Sequence, residues 1–215
     1  MPRDLDGANA RRLHARAPQV IDARRPAAIK RNLHELEIDR DAASFARALR
    51  DVLNDRTARF DLIRVRRPAA DAWRDFAVGD RFQGCFSLRA AAARWGAPPW
   101  LSSTAAALER IGVLAWLEAR VASDHSEITA ADTYRVAYRY LDGTPLAGET
   151  TYTIAPRGDR ACALEVAFTY QETTALALAL VHAFGMRAHD RAVLAQAEAA
   201  ASRAGGRVVR HTIRA

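Results

Sequence analysis

The feature that most limits how this chain can fold is a change of period. Tyr134, Val136, Tyr138 and Tyr140 fall on one side of a run, with Arg135 and Arg139 between them. Thr150, Tyr152 and Ile154 repeat the alternation. Cys162, Leu164, Val166, Phe168 and Tyr170 repeat it again, with Glu165 on the other side. A period of two belongs to strands that bury one face. Pro156-Arg157-Gly158-Asp159 supplies turn residues between two of these runs. After Gln171-Glu172-Thr173-Thr174 the period becomes helical, with Thr173 or Thr174 as cap, and Gly205-Gly206 ends it just past Ala204. Strands joined by short turns from about Val113 to Gln171 predict an antiparallel meander. One long helix follows it, roughly 45 Å if unbroken. Gly185 in that helix predicts a bend or a close approach.

Upstream, Leu36 and Ile38 alternate with Glu35, Glu37 and Asp39, which predicts a strand over Asn32–Asp39. Phe45, Leu49, Val52 and Leu53 then recur at helical spacing, with Asp39 or Asp41 as cap. Phe60–Val65 reads as a second strand that ends before Pro68. The turn Val78-Gly79-Asp80 leads into a third over Arg81–Leu88. A short helix over Ala90–Trp95, a loop at Gly96-Ala97-Pro98-Pro99 and a helix capped by Ser102 or Ser103 and closed at Gly112 complete the reading. Residues 1–30 form a basic extension, 31–206 one domain, and 207–215 a tail that the pattern leaves unplaced.

The predicted class is α+β, a curved antiparallel sheet wrapped around a long C-terminal helix. That element order resembles the START-like (SRPBCC, helix-grip) superfamily from about Leu33 to Gly206. The hairpin from Tyr138 to Tyr152 is similar to that of an uncharacterised branch carrying Leu-x-Gly-His-x-x-x-Gly-Glu. Leu141, Gly143, Gly148 and Glu149 match it, and Thr144 replaces the histidine. The resemblance implies a hydrophobic cavity between sheet and last helix, and no particular activity. It also makes the loop between Trp95 and Trp100 a candidate lid over the cavity mouth, by analogy; otherwise Trp73, Trp95, Trp100 and Trp116 are packing residues.

All five tyrosines, Tyr134, Tyr138, Tyr140, Tyr152 and Tyr170, fall at even positions of the strand region, so regular strands put them on one face. With Phe168, they suit a ligand that is mostly apolar but carries a few polar atoms. His182 and Met186 of the long helix complete the expected ligand-binding set. The competing reading is aromatic cross-strand pairing over a filled core. His182 and His189 lie seven apart, hence on one helix face but roughly 10 Å distant, too far for one metal ion. His189-Asp190 is expected on the solvent side. Asp124-His125-Ser126-Glu127 holds the letters of a hydrolase triad, but strand neighbours point to opposite faces. Glu149 is expected to pair with Arg135 or Arg139.

Composition adds boundaries. Half the chain, 50%, is hydrophobic and 27% is charged, as in globular domains. The net charge of +7 comes almost wholly from arginine, since Lys30 is the sole lysine, and alanine is roughly a fifth of the residues. This is the bias of a GC-rich bacterial genome at tolerant surface positions. The densest basic patches, Arg24-Arg25 and Arg64-Val65-Arg66-Arg67, hold no aromatics for base stacking, so no nucleic-acid partner is expected. Cys85 and Cys162 read as buried reduced thiols, without the spacing of a metal site. The longest apolar run, Ala175–Val181, stops at His182, so no membrane span is expected and a cytoplasmic location follows as the default.

Three functions remain open at this point. The first is binding of a small hydrophobic molecule, with no cofactor or metal. The second is an enzyme of the cyclase, aromatase or dehydratase kind, drawing acid–base groups from His182, Tyr138, Tyr152 or Glu149. The third is a protein-partner module with a filled core.

Overall fold

The structure, a computed structural model, describes residues 28–55, 59–60, 63–66, 77–87, 103–104, 107, 110–112, 123–174 and 186–214. Residues 1–27, the expected helix at Ala90–Trp95, the Pro98-Pro99 loop, the four tryptophans, His182 and Gly185 lie outside them.

Strand β1 spans Lys30–Ile38 and buries Asn32, His34, Leu36 and Ile38, the phase read from the sequence. It runs into α1, Ala42–Asn54, whose cap is Asp41: the Ser44 N–H donates to its carboxylate at 2.8 Å. That bond holds the Asp41 carboxyl below the usual range. Phe45, Ala46, Leu49 and Val52 form the buried face of α1.

The run expected as one strand at Phe60–Val65 doubles back. It is a hairpin of β2, Arg59–Phe60, and β3, Ile63–Arg66, with Phe60 opposite Ile63. Only two positions separate Phe60 from Ile63, so the alternating pattern runs on without marking where one strand ends and the next begins. Strands β4 (Arg81–Phe86), β5 (Ser123–Ala131), β6 (Arg135–Tyr140), β7 (Leu146–Pro156) and β8 (Cys162–Glu172) continue the meander. The described helical residues between 103 and 110 end at Gly112, which has φ +75°.

Helix α2, Met186–Arg203, follows the meander. The chain then turns through Gly205-Gly206 into β9, Val208–Arg214. The tail left unplaced by the sequence is thus a strand, hydrogen-bonded to β1 along most of its length. The sheet order is β2-β3-β4-β5-β6-β7-β8-β1-β9, antiparallel at each described pairing. A meander that ends at β8 is therefore extended by the first strand and closed by the last.

Both helices cover one face of the sheet. Their shared core joins Phe45 and Leu49 of α1 to Leu36, Ile38, Leu164, Val166 and Ile154 of the sheet, and to the buried side of α2. That side is largely alanine: Ala188, Ala192, Ala197, Ala200 and Ala201, with Val193 and Gln196. Methyl side chains let α2 lie close to α1, the element it meets most extensively. Part of the alanine excess therefore packs this contact rather than reflecting codon bias alone. Cys85 and Cys162 are buried and unbridged, and burial pushes the Cys162 thiol up to about 12. No described helix is long and apolar enough to cross a membrane.

Candidate functional site

The covered face of the sheet carries a continuous file of rings. Phe82 of β4 meets Tyr138 edge-on at 4.8 Å between centroids, and Tyr138 lies 6.2 Å from both Tyr140 and Tyr152. Tyr140 contacts Phe168 at 6.0 Å, and Phe168 stacks on Tyr170 at 4.5 Å. The registers Tyr138↔Thr150, Thr150↔Phe168 and Tyr152↔Val166 run without a shift, so even-numbered residues of β6, β7 and β8 share one side. Tyr134 stands apart. The Asp132 carboxylate accepts from the Tyr134 and Arg135 N–H groups, β6 begins only at Arg135, and the Tyr134 side chain is 37% exposed.

Tyr152 is buried at the centre of the file and donates its hydroxyl to Gln196 Oε1 of α2 at 2.6 Å. Burial, with Tyr138 and Tyr140 beside it, holds the phenol protonated far above its ordinary range. Tyr152→Phe leaves the Gln196 carbonyl buried without that donor. Urea denaturation of this variant should show a loss of about 1–3 kcal/mol at unchanged slope. An unchanged midpoint would mean that the bond ties nothing together.

At its other end the file runs into histidines. Phe168 stacks on His189 at 4.3 Å, His189 lies 5.5 Å from His34, and His34 is nearly coplanar with His211. His34 is fully buried, and its Nδ1 is 2.9 Å from His211 Nε2. Its Nε2 lies 3.3 Å from Asp190 Oδ1, off the line of a hydrogen bond. The Asn32 amide donates to the same Asp190 oxygen at 2.7 Å. Burial raises the Asp190 carboxyl, but the facing His189, His34 and Asn32 groups outweigh it and hold the acid well below the usual carboxylate range. Burial lowers His189 and His211. Beside this cluster the sole lysine, Lys30, pairs with the buried Glu172 at 2.6 Å and lies over the Tyr170 ring. Asn32 Oδ1, His34 Nε2, Thr150 Oγ1, Glu172 Oε2 and His189 Nδ1 are buried without a hydrogen-bond partner among the described residues.

His189-Asp190 therefore faces the sheet, not solvent as expected. His189 precedes Val193 by one turn and Gln196 by two, both buried, so helix phase carries it inward. Met186 begins α2 and is half-buried. Glu149 is exposed and lies opposite Arg139 in the register, pointing away from the rings, while Arg139 also approaches Glu127 at 3.6 Å. His125 is exposed and Ser126 buried, as strand alternation requires. Thr144, standing where the similar hairpins have histidine, is a turn residue. Its hydroxyl lies 2.9 Å from the Leu141 carbonyl and 2.6 Å from that of Leu146. Sequence reasoning missed His34, His211 and Asn32, whose signal was only their inward phase on strands at the sheet's edge.

No protein-family model matches the chain, and no curated protein matches its sequence. Solved structures do. The Zhui aromatase/cyclase from Streptomyces sp. R1128 superposes with a TM-score of 0.51 at 12% identity, over 83% of this chain and 94% of its own. A conserved protein from Geobacillus kaustophilus gives 0.50 at 9% identity, over 86% and 100%. The fold is a helix grip. Norcoclaurine synthase from Thalictrum flavum aligns less closely, with a TM-score of 0.47 at 14% identity over 83% and 95%. Identities this low speak to the helix grip alone, and the ring file and histidine cluster stand on their own geometry.

Proposed function

We propose that this helix-grip chain binds a small, largely hydrophobic molecule between the sheet and α2. Tyr138, Tyr140, Tyr152, Phe168 and Tyr170 supply the apolar contact, and Met186 extends it along the helix. His182 joins them by sequence spacing, and Tyr134 only at the rim. One observation carries the reading: the ring file ends at buried polar atoms, Asn32 Oδ1 and Glu172 Oε2 among them, that have no hydrogen-bond partner among the described residues. Buried polar groups are nearly always satisfied, and each orphan costs about 1–3 kcal/mol. A ligand with an apolar body and a polar end answers both halves of the site. The hairpin Leu141–Glu149 supports grouping the chain with the similar branch, although its histidine position has become a turn threonine here.

The test is native mass spectrometry of the full chain, joined to titration with the apolar dye 1-anilinonaphthalene-8-sulfonate. A co-purified mass or saturable one-to-one fluorescence is expected, with Tyr140→Ala weakening the dye at least severalfold. The absence of both a retained mass and saturable dye binding would overturn the reading.

Acid–base chemistry of the cyclase or dehydratase kind is the second reading. The Asp190 carboxylate beside the His34 and His189 rings favours it. Tyr138 and Tyr152 share their face, whereas Glu149 is turned away.

A further inference from the structure

At the end of the ring file, His34, His189 and Asp190 form an arrangement that the apolar body of a ligand does not use. His34 comes from β1, and His189 and Asp190 from the first turn of α2. One donor atom from each lies within 4.8 Å of the others. Asp190 Oδ1 is 3.3 Å from His34 Nε2 and 3.9 Å from His189 Nδ1. Two ligands on one tetrahedral ion, each at about 2.0–2.2 Å, sit about 3.3–3.6 Å apart. The two separations from Asp190 lie near that range, and the third, between the His34 and His189 nitrogens, is within 4.8 Å and closes by side-chain rotation.

A hydrogen-bond network is the competing account, and it leaves residues over. In such a network the ring nitrogens would be satisfied, yet His34 Nε2 and His189 Nδ1 are both buried without a hydrogen bond. Their surroundings fit ligands instead. Histidines that bind metals generally donate the other ring N–H to an acceptor. His34 has such an acceptor, because its Nδ1 is 2.9 Å from His211 Nε2, which leaves the Nε2 lone pair available. Phe168 fixes the His189 plane by stacking at an interplanar angle of 19°, and Asn32 holds the Asp190 oxygen at 2.7 Å.

We propose that His34, His189 and Asp190 form a binding site for a first-row divalent metal ion such as zinc. Two imidazoles and one carboxylate are a borderline donor set that suits such ions better than calcium or magnesium. Three protein ligands leave a coordination position for water or a ligand atom. Asn32 Oδ1, a buried acceptor with no partner beside Asp190, is placed to receive a hydrogen bond from a metal-bound water. The site stands whether or not the rings hold a hydrophobic molecule.

The experiment titrates zinc chloride, by calorimetry, into the full chain after removal of metal by a chelator. Wild type should bind one equivalent. His189→Ala and Asp190→Ala should each weaken it about 100-fold or more, and Asn32→Ala about tenfold. His34→Ala is avoided as a lead variant because that side chain is wholly buried. His14→Ala and His125→Ala should leave the affinity unchanged. Cobalt(II) in place of zinc should give visible d–d bands that vanish in His189→Ala. The proposal is overturned if wild type takes up no stoichiometric zinc. It is also overturned if His189→Ala and Asp190→Ala, with native circular dichroism, keep wild-type affinity, or if His14→Ala or His125→Ala abolishes binding.

Discussion

Replacing Gly148 by alanine should destabilise the fold by about 3–5 kcal/mol, a large fraction of the roughly 5–15 kcal/mol by which folded domains are commonly stable. Two costs add at this position. Gly148 has φ +134°, a region in which side-chain-bearing residues are strained. An added Cβ would also collide with the Thr169 carbonyl oxygen and come within 2.9 Å of Thr169 C and Tyr170 Cα. These atoms are backbone of β8, so no rotamer relieves the contact. The strand cannot retreat cheaply either, because Phe168 and Tyr170 on it are buried in the ring file. Gly143 in the same hairpin is the control. It has φ +82°, but nothing lies within 4 Å of its added Cβ, so Gly143→Ala should cost only about 1–2 kcal/mol. Urea denaturation and soluble yield of the two variants check this. Equal losses would show that β7 and β8 do not approach so closely. The two hairpin glycines share a sequence pattern but not a task, one serving the turn and the other the inter-strand contact.

The meander was legible because its strands bury one face, so that hydrophobicity reports register directly. The common side of Tyr138, Tyr140, Tyr152, Phe168 and Tyr170 followed from parity, and parity survives only where no bulge intervenes. That condition holds from β6 to β8 and fails in β5, where the register shifts between Ile128 and Ala130. Helix α1 was legible from its large apolar residues. The phase of α2 was not. Its buried face is alanine, which contrasts little with the polar side, so the inward turn of His189 had no hydrophobic marker. The histidine cluster was further hidden by separation: Asn32 and Asp190 lie 158 positions apart, His34 and His211 lie 177 apart. Only the sheet order, with the first strand between β8 and the last, brings them together.

Removing residues 207–215 should cost about 3 kcal/mol or more and make the remaining chain prone to self-association. The segment reads weakly because an edge strand presents polar residues on both sides, as Arg210, His211 and Thr212 do here. Its role is nonetheless extensive. Leu33↔Arg214 through Ile38↔Val208 are paired, and the Asp39 N–H donates to the Arg207 carbonyl at 3.0 Å. Without β9 the edge of β1 is an open row of donors and acceptors, the usual template for association with another chain. The buried His34 also loses His211, which leaves Nδ1 as a second unsatisfied ring nitrogen in the interior. The outer ion pairs contribute far less. Arg214–Glu35 at 2.8 Å and Arg210–Glu37 at 3.7 Å join exposed side chains, and such pairs are worth about 0–1 kcal/mol. Arg210→Ala combined with Arg214→Ala should therefore stay near wild type, whereas truncation lowers the urea midpoint and raises the apparent mass in light scattering. If the double variant and the truncation lose stability equally, the strand acts through its charges. If the truncation loses several times more, it acts through the backbone edge and the buried histidine pair.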